Sequence, residues 1–226
     1  MGNLFSTDGF LWRAMRDLTS LVVINLITIV CSLPIVTAGA AVASMHYVLY
    51  QMIEDQEGHI VPSYLKQFRG NLRNATPLWL IMLVSGGILL FEYSAFKGQG
   101  GAGRIVIVFV YAGALFLAML GVWLFPLTAK FVYTTAGCFR NACILCISKL
   151  FRTAAMVLIM SVIPFILTHD LRLAPLALLI GISLPSYFCA LIYHPVFDEM
   201  IRKRQKMEGE DIIDEKGEGI DPEKEE

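Results

Sequence analysis

Leu18–Ile53, LTSLVVINLITIVCSLPIVTAGAAVASMHYVLYQMI, runs its whole length without one Asp, Glu, Lys or Arg. Four further stretches share this property: Asn74–Phe91, Ile105–Ala129, Thr153–His169 and Leu173–Phe197. A bilayer's hydrocarbon core takes about 20 apolar helical residues to cross, within a usable range of roughly 17–25. All four fall inside that range. Only helices and closed barrels satisfy their backbone polar groups in lipid. These blocks are too long, and alternate too weakly, for barrel strands of about 10 residues. The reading is an all-α, polytopic membrane helical bundle with five transmembrane helices.

Composition agrees. The chain is 56% hydrophobic and 16% charged, whereas soluble domains carry about 25% charged residues. Charge is also segregated. Residues 1–207 hold 16 Lys and Arg against 9 Asp and Glu, whereas residues 208–226 hold 2 against 10. A single helical membrane domain is therefore expected over 1–206. An acidic, disordered cytoplasmic tail is expected over 207–226, because such a composition buries too little apolar surface to fold.

The opening block is too long for one crossing, since 36 helical residues measure about 54 Å. Pro34 lies near its middle, where the ring removes a backbone donor and clashes with the preceding turn. Two shapes remain open: one long bent helix, or a tight re-entrant hairpin that returns the N-terminus to the inner face. The bent helix is the working reading. Arg13, Arg16 and Ala38-Gly39-Ala40 imitate a secretory signal. The apolar run from Leu18 to Ala40 nevertheless outlasts the core of such a signal, usually about 7–15 residues. A retained helix suits it better.

Orientation follows from Lys and Arg. With five crossings, one side receives 5 of them and the other, which holds the 54–73 loop, the 130–152 segment and the C-terminus, receives 13. The expected arrangement is N-terminus outside and C-terminus cytoplasmic. Arg202, Lys203 and Arg204 follow the last block as an anchor for anionic headgroups. Arg69 and Arg73 in Arg69–Ala75, and Lys149 and Arg152 in Lys149–Ala154, mark two basic lead-ins expected to lie along the membrane surface before the second and fourth crossings, with Lys66 just ahead of the first. These eight residues are the expected contacts with lipid headgroups or a protein partner.

The odd-numbered helices are expected to be kinked at Pro34, Pro126 and Pro185, each followed by small and aromatic residues. A faint internal repeat goes with this, because the spacing from Pro34 to Arg73 is 39 positions but from Pro126 to Arg152 only 26. Ionisable groups within membrane helices usually mark a functional path. His46, Lys130 and His194 each lie beyond one of these prolines and, with Asn25, form a candidate cytoplasm-facing cavity. The plainer alternative is that Lys130 reaches the interface and the histidines are merely hydrogen-bonded. Trp12, Trp79 and Trp123 suit interfacial belts.

Catalytic signatures are weak. Gly98-Gln99-Gly100-Gly101-Ala102-Gly103 fits G-x-G-x-x-G but joins two membrane helices, without the strand that a dinucleotide site requires. Cys143 and Cys146 form half of a metal or redox pattern inside an apolar stretch, and buried thiols are the simpler reading. No catalytic residue, metal ligand, cofactor or nucleic-acid partner is assigned, and an enzyme is not expected. A homo-oligomer remains open.

Gly2-Asn3-Leu4-Phe5-Ser6, Phe10-Leu11-Trp12, Asn25-Leu26 and Cys31-Ser32-Leu33-Pro34-Ile35-Val36-Thr37-Ala38-Gly39-Ala40 together resemble the opening of the YesL family of bacterial integral membrane proteins. Phe68-Arg69-Gly70-Asn71-Leu72-Arg73-Asn74-Ala75-Thr76 resembles its second signature. The likeness runs to about residue 205 and is strongest over the first 80 positions. It implies a bacterial plasma membrane and a carbohydrate-uptake setting, with sugar-import components as partners, and supplies no active-site residue. The expected function is a non-enzymatic accessory or regulatory component of such a system. The alternative is a small secondary transporter that moves a solute itself.

Overall fold

The computed structural model describes residues 10–55, 59–131 and 133–217. Among them every regular element is helical: α1 (Phe10–Ser32), α2 (Ala38–Ile53), α3 (Ile60–Phe96), α4 (Ala102–Lys130), α5 (Thr135–Ser148), α6 (Leu150–His169), α7 (Ala174–Ile180) and α8 (Ser183–Gly217), with short 3-10 turns before α2 and α7. Among the described residues four segments are long and apolar enough to cross a membrane, and α7 with α8 makes a fifth if that broken pair is one span. The chain is a multi-pass helical membrane bundle. It divides into two compact units, residues 1–190 and 191–226.

Leu18–Ile53 is not a bent helix. Arg16, near the start of α1, lies 3.7 Å from the carboxylate of Asp55, just past the end of α2. A straight helix would hold residues 39 positions apart about 58 Å from each other. The chain therefore reverses, and α1 and α2 form a hairpin. Pro34 is extended at φ −76° and ψ 112°, and a proline also pushes its predecessor out of helical geometry. The tip is apolar and outward-facing at Leu33, Ile35 and Val36. Its loosened carbonyls are nonetheless satisfied. The Thr37 hydroxyl lies 2.8 Å from both the Cys31 and Pro34 carbonyls, and the Trp79 indole N–H donates to the Ile35 carbonyl at 2.7 Å. Irregular backbone survives in an apolar medium only under such cover. Cysteines placed at 16 and 55 should accordingly be joined by a short bifunctional thiol reagent in native membranes; no joining there would restore the bent helix.

The hairpin also explains an inversion of burial. Most of α2 is buried, from Gly39 through Met52, so its neighbours are protein on nearly every side. The longer helices instead show apolar side chains outward: Leu90 and Phe91 on α3, Val108 and Phe109 on α4, Leu158 and Phe165 on α6. Polar residues go the other way, with Asn25, Thr28, Ser44 and Thr153 fully buried. In lipid an outward apolar face costs nothing, and small or hydrogen-bonding residues hold the interior together.

The α2–α3 contact depends on small residues. Ala40, Ala43 and Ala75 form a buried cluster against Phe68 and Leu72, and Tyr64 donates its hydroxyl to the Ala41 carbonyl at 3.0 Å. The first basic lead-in is not a separate element. Lys66, Arg69 and Arg73 lie within the 37 unbroken residues of α3, about 55 Å of helix, because nothing in Arg69–Ala75 ends a helix. Pro77 sits inside it.

The glycine-rich stretch is a connector from α3 to α4. Gly98 and Gly101 take φ of 88° and 60°, a left-handed backbone that side chains with a Cβ resist. At Lys149 the backbone leaves helical geometry, at φ −120° and ψ 45°, so the second lead-in does contain a break between α5 and α6.

The three prolines act differently. Pro34 lies at a reversal, Pro126 is carried inside α4 four residues before its end, and Pro185 is the third residue of α8, where a missing N–H is harmless. The faint repeat is therefore not matched in three dimensions. The helix α8 continues to Gly217, so the chain is helical through the first half of the stretch read as a tail; residues 218–226 lie outside the described residues. Along the second unit, Lys203 pairs with Glu199 at 2.7 Å and His194 with Asp198 at 3.1 Å, both one turn apart.

Candidate functional site

Asn25 is buried on α1 and faces the break between α7 and α8. Its Nδ2 donates to the Leu178 carbonyl at 2.7 Å. Its Oδ1 accepts the backbone N–H groups of Ile182 at 3.0 Å and Ser183 at 2.9 Å. Where α7 stops and α8 starts, helix ends leave donors and acceptors without intrahelical partners. One carboxamide supplies both kinds of partner. Asn25 thus braces a discontinuous span, with three hydrogen bonds to backbone far along the chain.

His46, buried on α2, lines a cavity of about 360 Å³ with Val42 of the same helix, Gly121 and Phe125 of α4, and Met160 and Ser161 of α6. The lining is chiefly apolar. The Ser161 hydroxyl bonds the Val157 carbonyl at 2.8 Å, and the thiol of Cys189, also at the wall, lies 3.6 Å from the Met156 carbonyl. These walls offer little hydrogen bonding to a polar guest.

Lys130 ends α4. Its Nζ lies 3.6 Å from a carboxylate oxygen of Glu54 and 3.8 Å from the centre of the Tyr50 ring. Tyr50 is one turn beyond His46 on α2, so Lys130 of α4 packs on the same face of α2 that carries His46. Nearby, Gln67 donates to the Ala129 carbonyl at 3.2 Å. This cluster joins the end of α4 to the end of α2 by charge and by cation–π attraction. Asn25 is engaged elsewhere, at the α7–α8 break. His194 belongs to the second compact unit.

Of the basic residues, Lys66, Arg69, Arg73 and Arg152 are exposed and Lys149 is partly so. Next to Arg152 and Lys149, Phe151 is 92% exposed and Leu150 and Ile147 also point outward. Bulky apolar groups beside cations suit the headgroup–acyl boundary.

Two tryptophans are placed by contacts rather than by a belt. Trp123 is fully buried and donates to the Thr153 hydroxyl at 2.8 Å, tying α4 to the start of α6. Trp79 closes the hairpin tip. Their partners stand 30 and 44 positions away along the chain, so no local pattern marks them. The side chain of Trp12 lies outside the described residues. All five cysteines are free thiols, including Cys143 and Cys146.

Residues 21–93 match a family described as proteins of unknown function, DUF624. The matched stretch covers α2, the second half of α1 and most of α3, including the hairpin tip, Asn25 and His46. No curated protein and no solved structure matches the chain.

Proposed function

We propose that this protein is a non-enzymatic accessory or regulatory component of a carbohydrate-uptake system in a bacterial plasma membrane. The observation that carries the reading is an interior in which the polar side chains of α1 and α2 are engaged with backbone. The helix at the middle, α2, is closed in by Ala–Ala contacts with α3, and Asn25, Thr28 and Ser44 direct their polar atoms to backbone carbonyls and amides. A path for a sugar needs a line of unengaged donors and acceptors. Among the described residues, Asn71 Nδ2 and Thr76 Oγ1 on α3 and Ser183 Oγ on α8 are buried without a partner, too few for such a line, and this favours a role exercised through surfaces. The match to an uncharacterised family and the YesL-like motifs of the opening segment supply the setting. Affinity capture from membranes of cells grown on an inducing sugar should recover a sugar-import component; recovery of none would count against the role.

The second reading, a small secondary transporter, is favoured by the broken α7–α8 span, since such transporters place sites at discontinuous helices. Solute uptake by proteoliposomes containing this protein alone would establish it in place of the first.

The hairpin alters the proposed orientation. Arg13 and Arg16 move to the side of the 54–59 connection, and the Lys and Arg count becomes 15 against 3 instead of 13 against 5. The stronger bias supports both termini in the cytoplasm. Reporters fused before α1 and inserted at residues 56–58 should respond from one and the same side of the membrane. Opposite responses would return the N-terminus to the outer face.

A further inference from the structure

We propose that the cavity beside His46 is a binding slot for one acyl chain of a bilayer phospholipid. The slot lies between α2, α4, α6 and the start of α8, and its volume of about 360 Å³ falls within the usual range of ligand pockets, roughly 300–1,000 Å³. Its walls are made by Val42, Val122, Phe125, Val157 and Met160. Two wall residues, Ala118 and Ser161, are exposed, so the slot opens on the outer flank of α4 and α6. Leu115 and Phe116 on α4 and Leu158 and Val162 on α6 point outward on those helices. In a membrane bundle such outward apolar groups meet hydrocarbon, and the slot continues the lipid-facing surface inward.

The occupant follows from what the walls supply. Apolar cavities stay dry, and a void leaves its lining atoms without dispersion partners. Ser161 and Cys189 direct their polar hydrogens at backbone carbonyls, so beyond the single imidazole of His46 the walls offer a sugar or an ion few partners. The molecules next to the mouth are lipid tails, flexible enough to enter through a side opening. The slot is thus a place where bilayer lipid inserts against α2, the central helix. This assignment does not depend on the carbohydrate-uptake reading.

The test is photolabelling in proteoliposomes made with a phospholipid that carries a diazirine on its acyl chain, with adducts mapped by mass spectrometry. Adducts are expected at Met160, Val42 or Cys189 inside the slot, as well as on outer residues such as Leu90 and Phe91. Ser161→Trp, which adds bulk at an exposed rim position, should lower the inner adducts by about tenfold and leave the outer ones unchanged. Val157→Phe, which fills the slot from the wall, should do the same if the first variant folds poorly. Labelling confined to the outer residues in the wild-type protein would overturn the proposal. So would inner labelling that survives either folded variant unchanged.

Discussion

Asn25→Leu should be among the most damaging single substitutions in this chain. It removes one donor and one acceptor that together meet three backbone groups, the Leu178 carbonyl and the Ile182 and Ser183 amides. Leaving a buried polar group unmet costs about 1–3 kcal/mol, so the loss should be roughly 3–9 kcal/mol when the three are left together. The side chain is 0% exposed, and water offers little substitute. Asn25→Asp separates the parts of the effect. A carboxylate still accepts from Ile182 and Ser183 but offers nothing to the Leu178 carbonyl, and its charge is unpaired in an apolar surrounding. It too should destabilise, yet the amides of Ile182 and Ser183 should keep more of their protection than in the leucine variant. Thermal unfolding in detergent gives the total, and hydrogen exchange at residues 182 and 183 locates it. An Asn25→Leu protein with unaltered melting and unaltered exchange would show that the α7–α8 break does not rely on this brace.

Gly39→Ala should be nearly as severe, for a steric reason. A Cβ added at Gly39 would clash with the Trp79 Cβ and stand 3.1 Å from the Ala75 carbonyl oxygen. Neither atom is the far end of a flexible chain, so α2 and α3 must move apart. Overpacking of this kind typically costs about 1–3 kcal/mol, occasionally more. The shift would also loosen the Trp79 bond to the Ile35 carbonyl and thereby the hairpin tip. Trp79→Ala offers no rescue, since alanine keeps the offending Cβ. Gly70, by contrast, has nothing within 4 Å of the same added atom. Gly70→Ala is therefore the matched control and should melt at or slightly above the wild-type temperature, given the better helix propensity of alanine. Equal melting of the Gly39 and Gly70 variants would refute the close α2–α3 approach.

Both effects centre on places where the chain departs from a plain helix and the departure is covered from afar. The hairpin tip is covered by Trp79, the α7–α8 break by Asn25, and the end of α4 by Gln67. In water, solvent would satisfy such ends. In an apolar medium another part of the protein must do so, which makes each cover a strong determinant of the fold.

Helical spans and their approximate places were legible in the residues, because the absence of ionised side chains over 17 or more positions is a local property that lipid alone tolerates. So was a disruption at Pro34, since a proline's missing donor is equally local. The direction the chain takes afterwards was not. Bent helix and hairpin share one hydrophobic pattern, and the choice lies in the contact of Arg16 with Asp55 and of Trp79 with Ile35 across the fold. Asn25 stood out as polar within an apolar run, but its partners lie more than 150 positions away, and only the assembled bundle brings them to it. Likewise, apolar content marked α2 as a membrane segment, whereas its central place depends on which neighbours surround it. Sequence alone determined the medium in which this chain folds. Tertiary structure decided which helix is sheathed by protein and which by lipid, because burial depends on neighbours and not on composition.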